Sequence, residues 1–283
     1  MAPSVERPSV FGAPFARIVV VFNPDPKKTP VHAVWWLCAK LAECSPEIPI
    51  ELRATQHSGH GRDIAAHAAR AAQPSGPPIL IVSVSGDGGY NDVVNGVMDV
   101  PGSNVVCTVL AAGNANDHRR STGYVSLVDS ILSGSVASMD LLKLTVTPAS
   151  GPATVRYAHS YIGAGVTAAM AHGIEQAGKG RVRELLGVAR TLPRLRPFRI
   201  ERADGCYAIL DSLVLANVSK MAKYGTISDS ADPADGRFEV IHSSHERRWQ
   251  LALTTLRAVT VGLQEQESVE RYGFLTREML PLQ

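Results

Sequence analysis

The sequence predicts an α/β protein in two parts, an N-terminal α/β domain and a β-rich C-terminal domain. Strand and helix patterns alternate up to about residue 138, which is typical of the parallel strands and crossover helices of a Rossmann-like domain. Beyond Met139 most apolar segments have strand character and are separated by turn residues. We therefore divide the chain into a flexible tail (1–15), an α/β domain (16–138) and a β-rich domain (139–283).

Length, composition and charge narrow the class of protein. The chain has 283 residues and is 45% hydrophobic, which is enough to bury a sizeable core. Its net charge is only +2, and aromatic and basic residues are not interleaved, so we expect no nucleic-acid partner. No segment reaches the roughly 18 consecutive apolar residues of a membrane span. We therefore expect a cytoplasmic protein that meets any lipid at the membrane surface.

The first domain begins with a predicted strand over 17–22. The helix predicted over 31–43 carries an apolar stripe that places Trp35 in the core. Further strands are predicted over 50–54, 79–84 and 105–110, and further helices from residue 62, from residue 91 and over 126–132. In the second domain we predict strands within 141–147, 153–163, 198–203, 206–218 and 237–243, and a closing helix over 245–265.

The most informative stretch is the turn after the strand at 79–84. Its sequence, Ser85-Gly86-Asp87-Gly88-Gly89, contains three glycines, which allow backbone amides to approach an anion closely. The N-terminus of the following helix adds unpaired N–H groups and a positive partial charge, so the pattern predicts a phosphate site. The carboxylate of Asp87 would repel phosphate unless a metal, or a proton to be abstracted, gives it a role. The turn therefore indicates phosphate chemistry.

Two common phosphate motifs do not fit this turn. A dinucleotide fingerprint requires a glycine where Asn91 stands, and a P-loop requires Lys and then Ser or Thr after its second glycine. No acidic residue suited to bind ribose follows the turn in the context of a second strand. A dinucleotide oxidoreductase is therefore disfavoured.

Segment 85–96 resembles the Gly-Gly-Asp-Gly-Thr-x-Asn-Glu-Val-x-Asn-Gly block of the diacylglycerol kinase catalytic domain family, which includes bacterial lipid kinases and sphingosine kinases. Segment 110–117, Leu-Ala-Ala-Gly-Asn-Ala-Asn-Asp, is similar to the family's Pro-x-Gly-Thr-x-Asn-Asp block. Weaker similarities extend the resemblance over about residues 17–242. The resemblance implies a nucleotide-binding α/β domain, a C-terminal β-sandwich-like domain, and phosphorylation of a lipid hydroxyl that depends on ATP and magnesium.

On this resemblance Asp87 is the catalytic carboxylate. The phosphate cradle and its second wall come from the two blocks: Gly86, Gly88, Gly89, Gly113 and Asn114. The resemblance also implies residues that bind nucleotide, metal or a neighbouring loop: Asn23, Thr55, Ser85, Asn91, Asp92, Asn116 and Asp117. Capping of a helix N-terminus would explain Asn116 and Asp117 as well, and this alternative stays open.

The sequence departs from the family pattern at several positions. Gly89 and Asn114 stand where the family usually has Thr, and Ala111 replaces Pro. The family's last motif, Asp-Gly-Glu, from which members are thought to draw a catalytic carboxylate, would be expected about where the sequence stops, at Gln283. Either the sequence is truncated or that carboxylate comes from elsewhere.

A candidate metal site lies in the second domain. Asp232 and Asp235 are three residues apart in a turn that also contains Gly and Pro, so two of their oxygens can share one hard cation. The resemblance implies a structural magnesium site here, completed by the backbone carbonyl of Arg237. A plain turn explains the same residues equally well.

The second domain contains a strongly basic stretch. Between Lys179 and Arg202 the chain carries eight Lys or Arg against two Glu, which suits an anionic membrane surface, although a solvated basic face is an equal alternative. The histidine pairs at 57 and 60 and at 242 and 245 lack a third ligand, so we assign them no chemistry.

The leading hypothesis is an ATP-dependent lipid kinase for a diacylglycerol- or sphingoid-like lipid. Two alternatives stay open. One is a catalytically silent member of the family that binds nucleotide or lipid. The other is a soluble-substrate kinase of the NAD kinase type, because that family has a similar Gly-Gly-Asp-Gly turn. The sequence does not decide whether the chain forms a homodimer.

Overall fold

The structure is a computed structural model, and it describes residues 13–25, 30–123, 125–166, 168–169, 196–201, 205–221, 225–226, 232–245 and 276–281. The chain divides into two compact units, Met1–His159 and Ser160–Gln283. Most of the basic stretch 179–202 and all but the first residue of the helix predicted over 245–265 lie outside the described residues.

A four-stranded parallel sheet forms the centre of the first unit. Its strands are β1 (Arg17–Phe22), β2 (Ile50–Ala54), β3 (Ile79–Ser85) and β4 (Val105–Ala111), in the order β2-β1-β3-β4. The helices are α1 (Val31–Cys44), α2 (His60–Arg70), α3 (Asp87–Met98), α4 (Asp117–Thr122) and α5 (Leu127–Leu132). An antiparallel hairpin, β5 (Leu142–Val146) and β6 (Thr154–Ala158), completes this unit. The predicted α/β fold with a parallel sheet is confirmed.

The core explains why these segments form the sheet. The first six residues of β3 are all buried, since parallel strands are covered on both faces. One face packs against α1 and α5 through Val34, Leu37, Leu41 and Ile131, and the other packs against α2 and α3 through Ala65, Ala68 and Val93. The unit is therefore a three-layer α/β/α arrangement, with the carboxyl ends of the strands free to carry a site.

The exposed side of α1 contradicts the sequence prediction for Trp35. Its side chain is 60% exposed, and the buried positions of the helix are Val34, Leu37 and Leu41. Successive residues of a helix are separated by about 100°, so Trp35 lies beside this stripe rather than in it. The predicted stripe includes Trp35 and omits Leu37, so it is rotated relative to the face that the helix buries.

The second unit is rich in β-strands, as predicted for the C-terminal part of the chain, and its described strand pairs are antiparallel. Its main sheet has the order β13-β12-β9-β7, and β8 also pairs with β9. The strands are β7 (Tyr161–Gly165), β8 (Phe198–Glu201), β9 (Tyr207–Ala216), β10 (Lys220–Met221), β11 (Gly225–Thr226), β12 (Arg237–Ser244) and β13 (Thr276–Pro281). Strands β10 and β11 form a separate two-stranded ladder. None of the described helices is long and apolar enough to span a bilayer.

Candidate functional site

A cleft of about 550 Å³ opens at the carboxyl ends of β1 and β3, and we call it the β1–β3 cleft. The chain leaves β1 toward β2 on one side and returns to β3 on the other, so this is the point where the strand order reverses. Ligands of open α/β sheets bind at such a point. Six of the predicted binding residues line the cleft: Asn23, Thr55, Ser85, Gly86, Gly89 and Asp92.

The turn between β3 and α3 is shorter than the sequence predicts. Helix α3 begins at Asp87 instead of near Asn91, so Gly88 and Gly89 lie in its first turn. A Cβ atom on Gly89 would come within 2.7 Å of the Ser85 Cβ, which explains why a residue larger than glycine does not fit beside this serine. The positive end of α3 therefore faces the cleft over a surface without bulky side chains.

The two sequence blocks meet at a pair of glycines. A Cβ on Gly86 would lie 2.9 Å from the Gly113 Cα, and a Cβ on Gly113 would overlap the Gly86 backbone. The Ala112 N–H donates to the Ser85 carbonyl at 2.9 Å, which ties the two loops together beside this contact. Glycine is thus required at both positions by the close approach of the backbones.

Asp87 bridges the same two loops with its side chain. Its Oδ2 accepts a hydrogen bond from the Asp117 N–H at 3.0 Å, and its Oδ1 accepts one from the His118 N–H at 3.1 Å. These N–H groups belong to the first turn of α4, where a carboxylate is also favoured by the helix dipole. Asp87 therefore caps α4 from 30 residues away, in addition to any role in catalysis.

Asn116 and Asp117 support this junction from the other side. Asn116 has a positive φ of 53°, and its side-chain amide bonds to the N–H and the carbonyl of Gly113 at 2.9 and 3.0 Å. Asp117 is fully buried, and Arg120 Nη1 donates to its Oδ1 at 3.2 Å. Asn116 occupies the N-cap position without a capping side-chain bond, because Asp87 supplies that bond instead.

A cluster of three rings, Tyr90, His118 and His159, lies behind Asp87. Their centroids are 4.7 to 5.0 Å apart, and His159 Nε2 lies 3.2 Å from the Asp87 carbonyl oxygen. Because a carbonyl only accepts, His159 Nε2 carries the proton and donates. Burial lowers the pKa of His159, and burial together with the neighbouring His159 lowers the pKa of His118 to about 4. Both rings are therefore neutral near pH 7.

Sequence reasoning missed this ring cluster. His159 follows β6 and is 72 residues from Asp87, so no spacing rule connects the two. The hairpin that carries His159 is held to α3 by Asn95, whose side-chain amide exchanges hydrogen bonds of 2.7 and 2.9 Å with the backbone of Tyr157. Asn95 is 3% exposed. In the sequence, the only trace of this contact is that the amide of Asn95 stands between the apolar positions Val94 and Val97 of the predicted helix.

Seven of the predicted residues are not among those that line the β1–β3 cleft: Asp87, Gly88, Asn91, Gly113, Asn114, Asn116 and Asp117. Gly88 and Asn114 are exposed elsewhere on the surface. Asn91 has a buried Oδ1 without a hydrogen-bond partner, and Gly113 contacts Gly86 from behind. Within the cleft, burial raises the pKa of the Asp92 carboxyl group. A carboxyl group that protonates more readily repels a neighbouring anion less.

The predicted metal residues form a local turn in the second unit. Asp232 Oδ1 accepts from the Ala234 N–H at 3.0 Å, and Asp235 Oδ1 accepts from the Arg237 N–H at 2.9 Å. Both are bonds across two residues, as in Asx-turns. Within the described residues, no three His, Cys, Asp or Glu side chains are grouped so that they could hold a metal ion. Magnesium binding by these residues stays a prediction.

Comparison with known proteins confirms the family resemblance of the first unit. Residues 17–144 match the family model of the diacylglycerol kinase catalytic domain, and this range contains both sequence blocks and every predicted nucleotide-binding residue. No curated protein matches the chain.

Solved structures share the fold over most of the chain. A structure described as a diacylglycerol kinase from Bacillus anthracis str. Sterne has a TM-score of 0.60 and 13% identity, covering 94% of this chain and 84% of its own. A structure named a "putative diacylglycerol kinase" from the same organism has a TM-score of 0.62, with the same identity and coverage. At this identity the likeness shows a common fold.

Proposed function

We propose that the protein is a lipid kinase that transfers the γ-phosphate of ATP, with Mg²⁺, to a hydroxyl of a diacylglycerol- or sphingoid-like lipid. One observation carries the proposal: the two family blocks converge at Gly86 and Gly113 beside the β1–β3 cleft. The match of residues 17–144, which contain both blocks, to the diacylglycerol kinase catalytic domain is consistent with it.

The residues of the cleft suit a nucleoside triphosphate. Phosphoryl transfer requires a cradle for the phosphates and groups that hold them in line with the acceptor. The N-terminus of α3 and the bare backbone at Gly86 and Gly89 provide the cradle. Asp25 and Asp92 also line the cleft, and carboxylates are ligands that Mg²⁺ prefers. Bound there, Mg²⁺ would neutralise phosphate charge.

Asp87 is proposed to orient or deprotonate the lipid hydroxyl. The backbone amides of α4 hold both of its oxygens, and His159 holds its carbonyl, so the side chain has a fixed position. A fixed carboxylate favours catalysis because little reorganisation is needed when the acceptor arrives. The acceptor is proposed to approach from a membrane surface. The eight Lys or Arg of the basic stretch 179–202 support this proposal, because such residues attract anionic lipid headgroups.

The test is transfer of labelled γ-phosphate from ATP to lipids in mixed micelles with Mg²⁺. Wild type is compared with Asp87→Asn, and Asp63→Asn on the exposed face of α2 is the matched control. We expect wild type and the control to label the lipid, and Asp87→Asn to lose about a hundredfold to ten-thousandfold in kcat, the range for removal of one catalytic acid or base.

Measurements of MgATP affinity and unfolding temperature separate chemistry from folding. If Asp87 takes part in the reaction, Asp87→Asn keeps the dissociation constant for MgATP while kcat falls. If Asp87 only organises the loops, affinity and unfolding temperature fall together with kcat. Labelled lipid at the wild-type rate from Asp87→Asn would defeat the catalytic assignment.

A second candidate function is binding without catalysis. The observation in its favour is that both Asp87 oxygens already accept backbone hydrogen bonds, as a purely structural carboxylate would. MgATP binding by wild type without labelling of any lipid would support this candidate. Labelling of a soluble acceptor such as NAD in the absence of micelles would instead support a soluble-substrate kinase.

A further inference from the structure

The loop between β2 and α2 forms one wall of the β1–β3 cleft, opposite the proposed phosphate cradle. Its residues Thr55, Gln56, His57, Ser58 and Gly59 all line the cleft. Two lining residues carry aromatic rings, Phe22 and His57. Phe22 packs against the core of the first unit, whereas His57 is exposed. Of the two rings, the imidazole of His57 is the more exposed, since Phe22 is partly buried.

The ring of His57 is held in a defined orientation. It stacks on the ring of His60 with a centroid distance of 4.7 Å and an interplanar angle of 15°. His60 is itself fixed, because its Nδ1 accepts a hydrogen bond from the Gln56 N–H at 3.0 Å. His57 Nδ1 lies 3.0 Å from the Ser58 carbonyl oxygen and must donate to it, since a carbonyl only accepts. One face of the His57 ring is thus covered, and the ring cannot rotate without breaking contacts.

We infer that His57 is the platform on which the base of the nucleotide stacks. A flat heterocyclic base that enters the cleft with its phosphates at Gly86 has the free face of His57 as its aromatic partner. Because Nδ1 is bonded to the Ser58 carbonyl, Nε2 is the ring nitrogen of His57 that could bond to the base. This inference rests on the proposed function, because it assumes that the ligand is a nucleoside triphosphate.

The test separates the base from the phosphates by calorimetric titration of two ligands. Dissociation constants for MgATP and for magnesium tripolyphosphate, which has no base, are measured for wild type, His57→Ala and His57→Phe. The matched control is His67→Ala, an exposed histidine of α2 that does not line the cleft. Removal of one side chain on which a base stacks costs about 1–3 kcal/mol of binding free energy, which is about tenfold or more in the dissociation constant.

We expect His57→Ala to weaken MgATP binding about tenfold and to leave tripolyphosphate binding unchanged. His57→Phe should restore MgATP affinity, because phenylalanine keeps the stacking surface, and His67→Ala should behave as wild type.

Wild-type affinity for MgATP in His57→Ala would overturn the inference and leave the proposed function intact. Equal losses for both ligands would also overturn it, by showing a collapsed loop. No binding of MgATP by wild type would defeat the proposed function, and the inference with it.

Discussion

Two acidic loops of this protein differ in how far along the chain the hydrogen-bond donors of their carboxylates lie. In the first unit, both oxygens of Asp87 accept hydrogen bonds from backbone groups 30 and 31 residues away. In the second unit, Asp232 and Asp235 accept from backbone groups only two residues away. The first loop therefore joins two parts of a site, whereas the second stabilises its own turn.

The difference shows what a short acidic motif does and does not determine. Asp next to Gly is favourable in any tight turn, because its side chain accepts nearby N–H groups. A functional constellation requires in addition that distant segments be brought to the same place. In the first unit this is achieved by parallel strands, whose carboxyl ends meet at one edge of the sheet.

The largest effect is expected at the glycine contact between the two blocks. Gly113→Ala places a Cβ inside the Gly86 backbone, so the loops must separate. Overpacking of this kind costs up to about 3 kcal/mol, and we expect a loss of that size in the free energy of unfolding together with loss of MgATP binding. Urea unfolding and calorimetric titration measure the two effects.

Gly88→Ala is the matched control for this substitution. Gly88 lies in the first turn of α3, and an added Cβ would meet no atom within 4 Å. In a helix, alanine is favoured over glycine by about 0.5–1 kcal/mol, so the control should be neutral or slightly stabilising. Equal behaviour of the two variants would show that the glycine contact does not hold the loops together.

Much of this arrangement can be read from the sequence, because it depends on local patterns. The buried run of β3 and the glycine turn after it identify a strand followed by an anion-binding helix, and both blocks lie at strand ends as predicted. What the sequence does not reveal depends on tertiary contacts. Asp87 as the cap of α4 and His159 behind it require a pairing of segments that no local spacing encodes.

Two predictions, the core position of Trp35 and the start of α3, are wrong because they too depend on tertiary contacts. The prediction placed Trp35 in the core because hydrophobicity does not distinguish two neighbouring faces of α1, and only packing against the sheet selects Val34, Leu37 and Leu41. The late start predicted for α3 followed from the low helix propensity of Gly88 and Gly89. Hydrogen bonding from the Tyr90 N–H to the Gly86 carbonyl at 3.1 Å overrides that propensity.

A smaller loss of unfolding free energy is expected on acidification. Burial, reinforced by His159, lowers the pKa of His118 to about 4, against about 6.5 in the unfolded chain. Between these two values the unfolded state binds a proton that the folded state does not, so stability falls as the pH drops from about 6.5 to about 4. From pH 7 to pH 5 this histidine should account for about 2 kcal/mol of lost unfolding free energy.

His118→Gln isolates this contribution, because it removes the titrating ring and keeps the N–H that donates to Asp87. Urea unfolding of wild type and variant at pH 7 and pH 5 gives the difference between their two pH effects. We expect the wild type to lose about 2 kcal/mol more than the variant on acidification. The same loss in both proteins would mean that other groups set the acid sensitivity, and that the ring cluster is not coupled to folding.

The smallest effect is expected at the turn of the second unit. Asp232→Asn and Asp235→Asn each weaken one local hydrogen bond, at a cost of about 0.5–1.5 kcal/mol. A plain turn predicts the same loss with and without about 10 mM Mg²⁺, whereas the predicted magnesium site adds a rise in the wild-type unfolding temperature that the variants lose. Thermal unfolding at both conditions measures it. A rise in the wild-type unfolding temperature with Mg²⁺ that disappears in both variants would establish the predicted magnesium site. The contrast between the two loops would then fail, because the second turn would also owe its order to a partner beyond its own backbone.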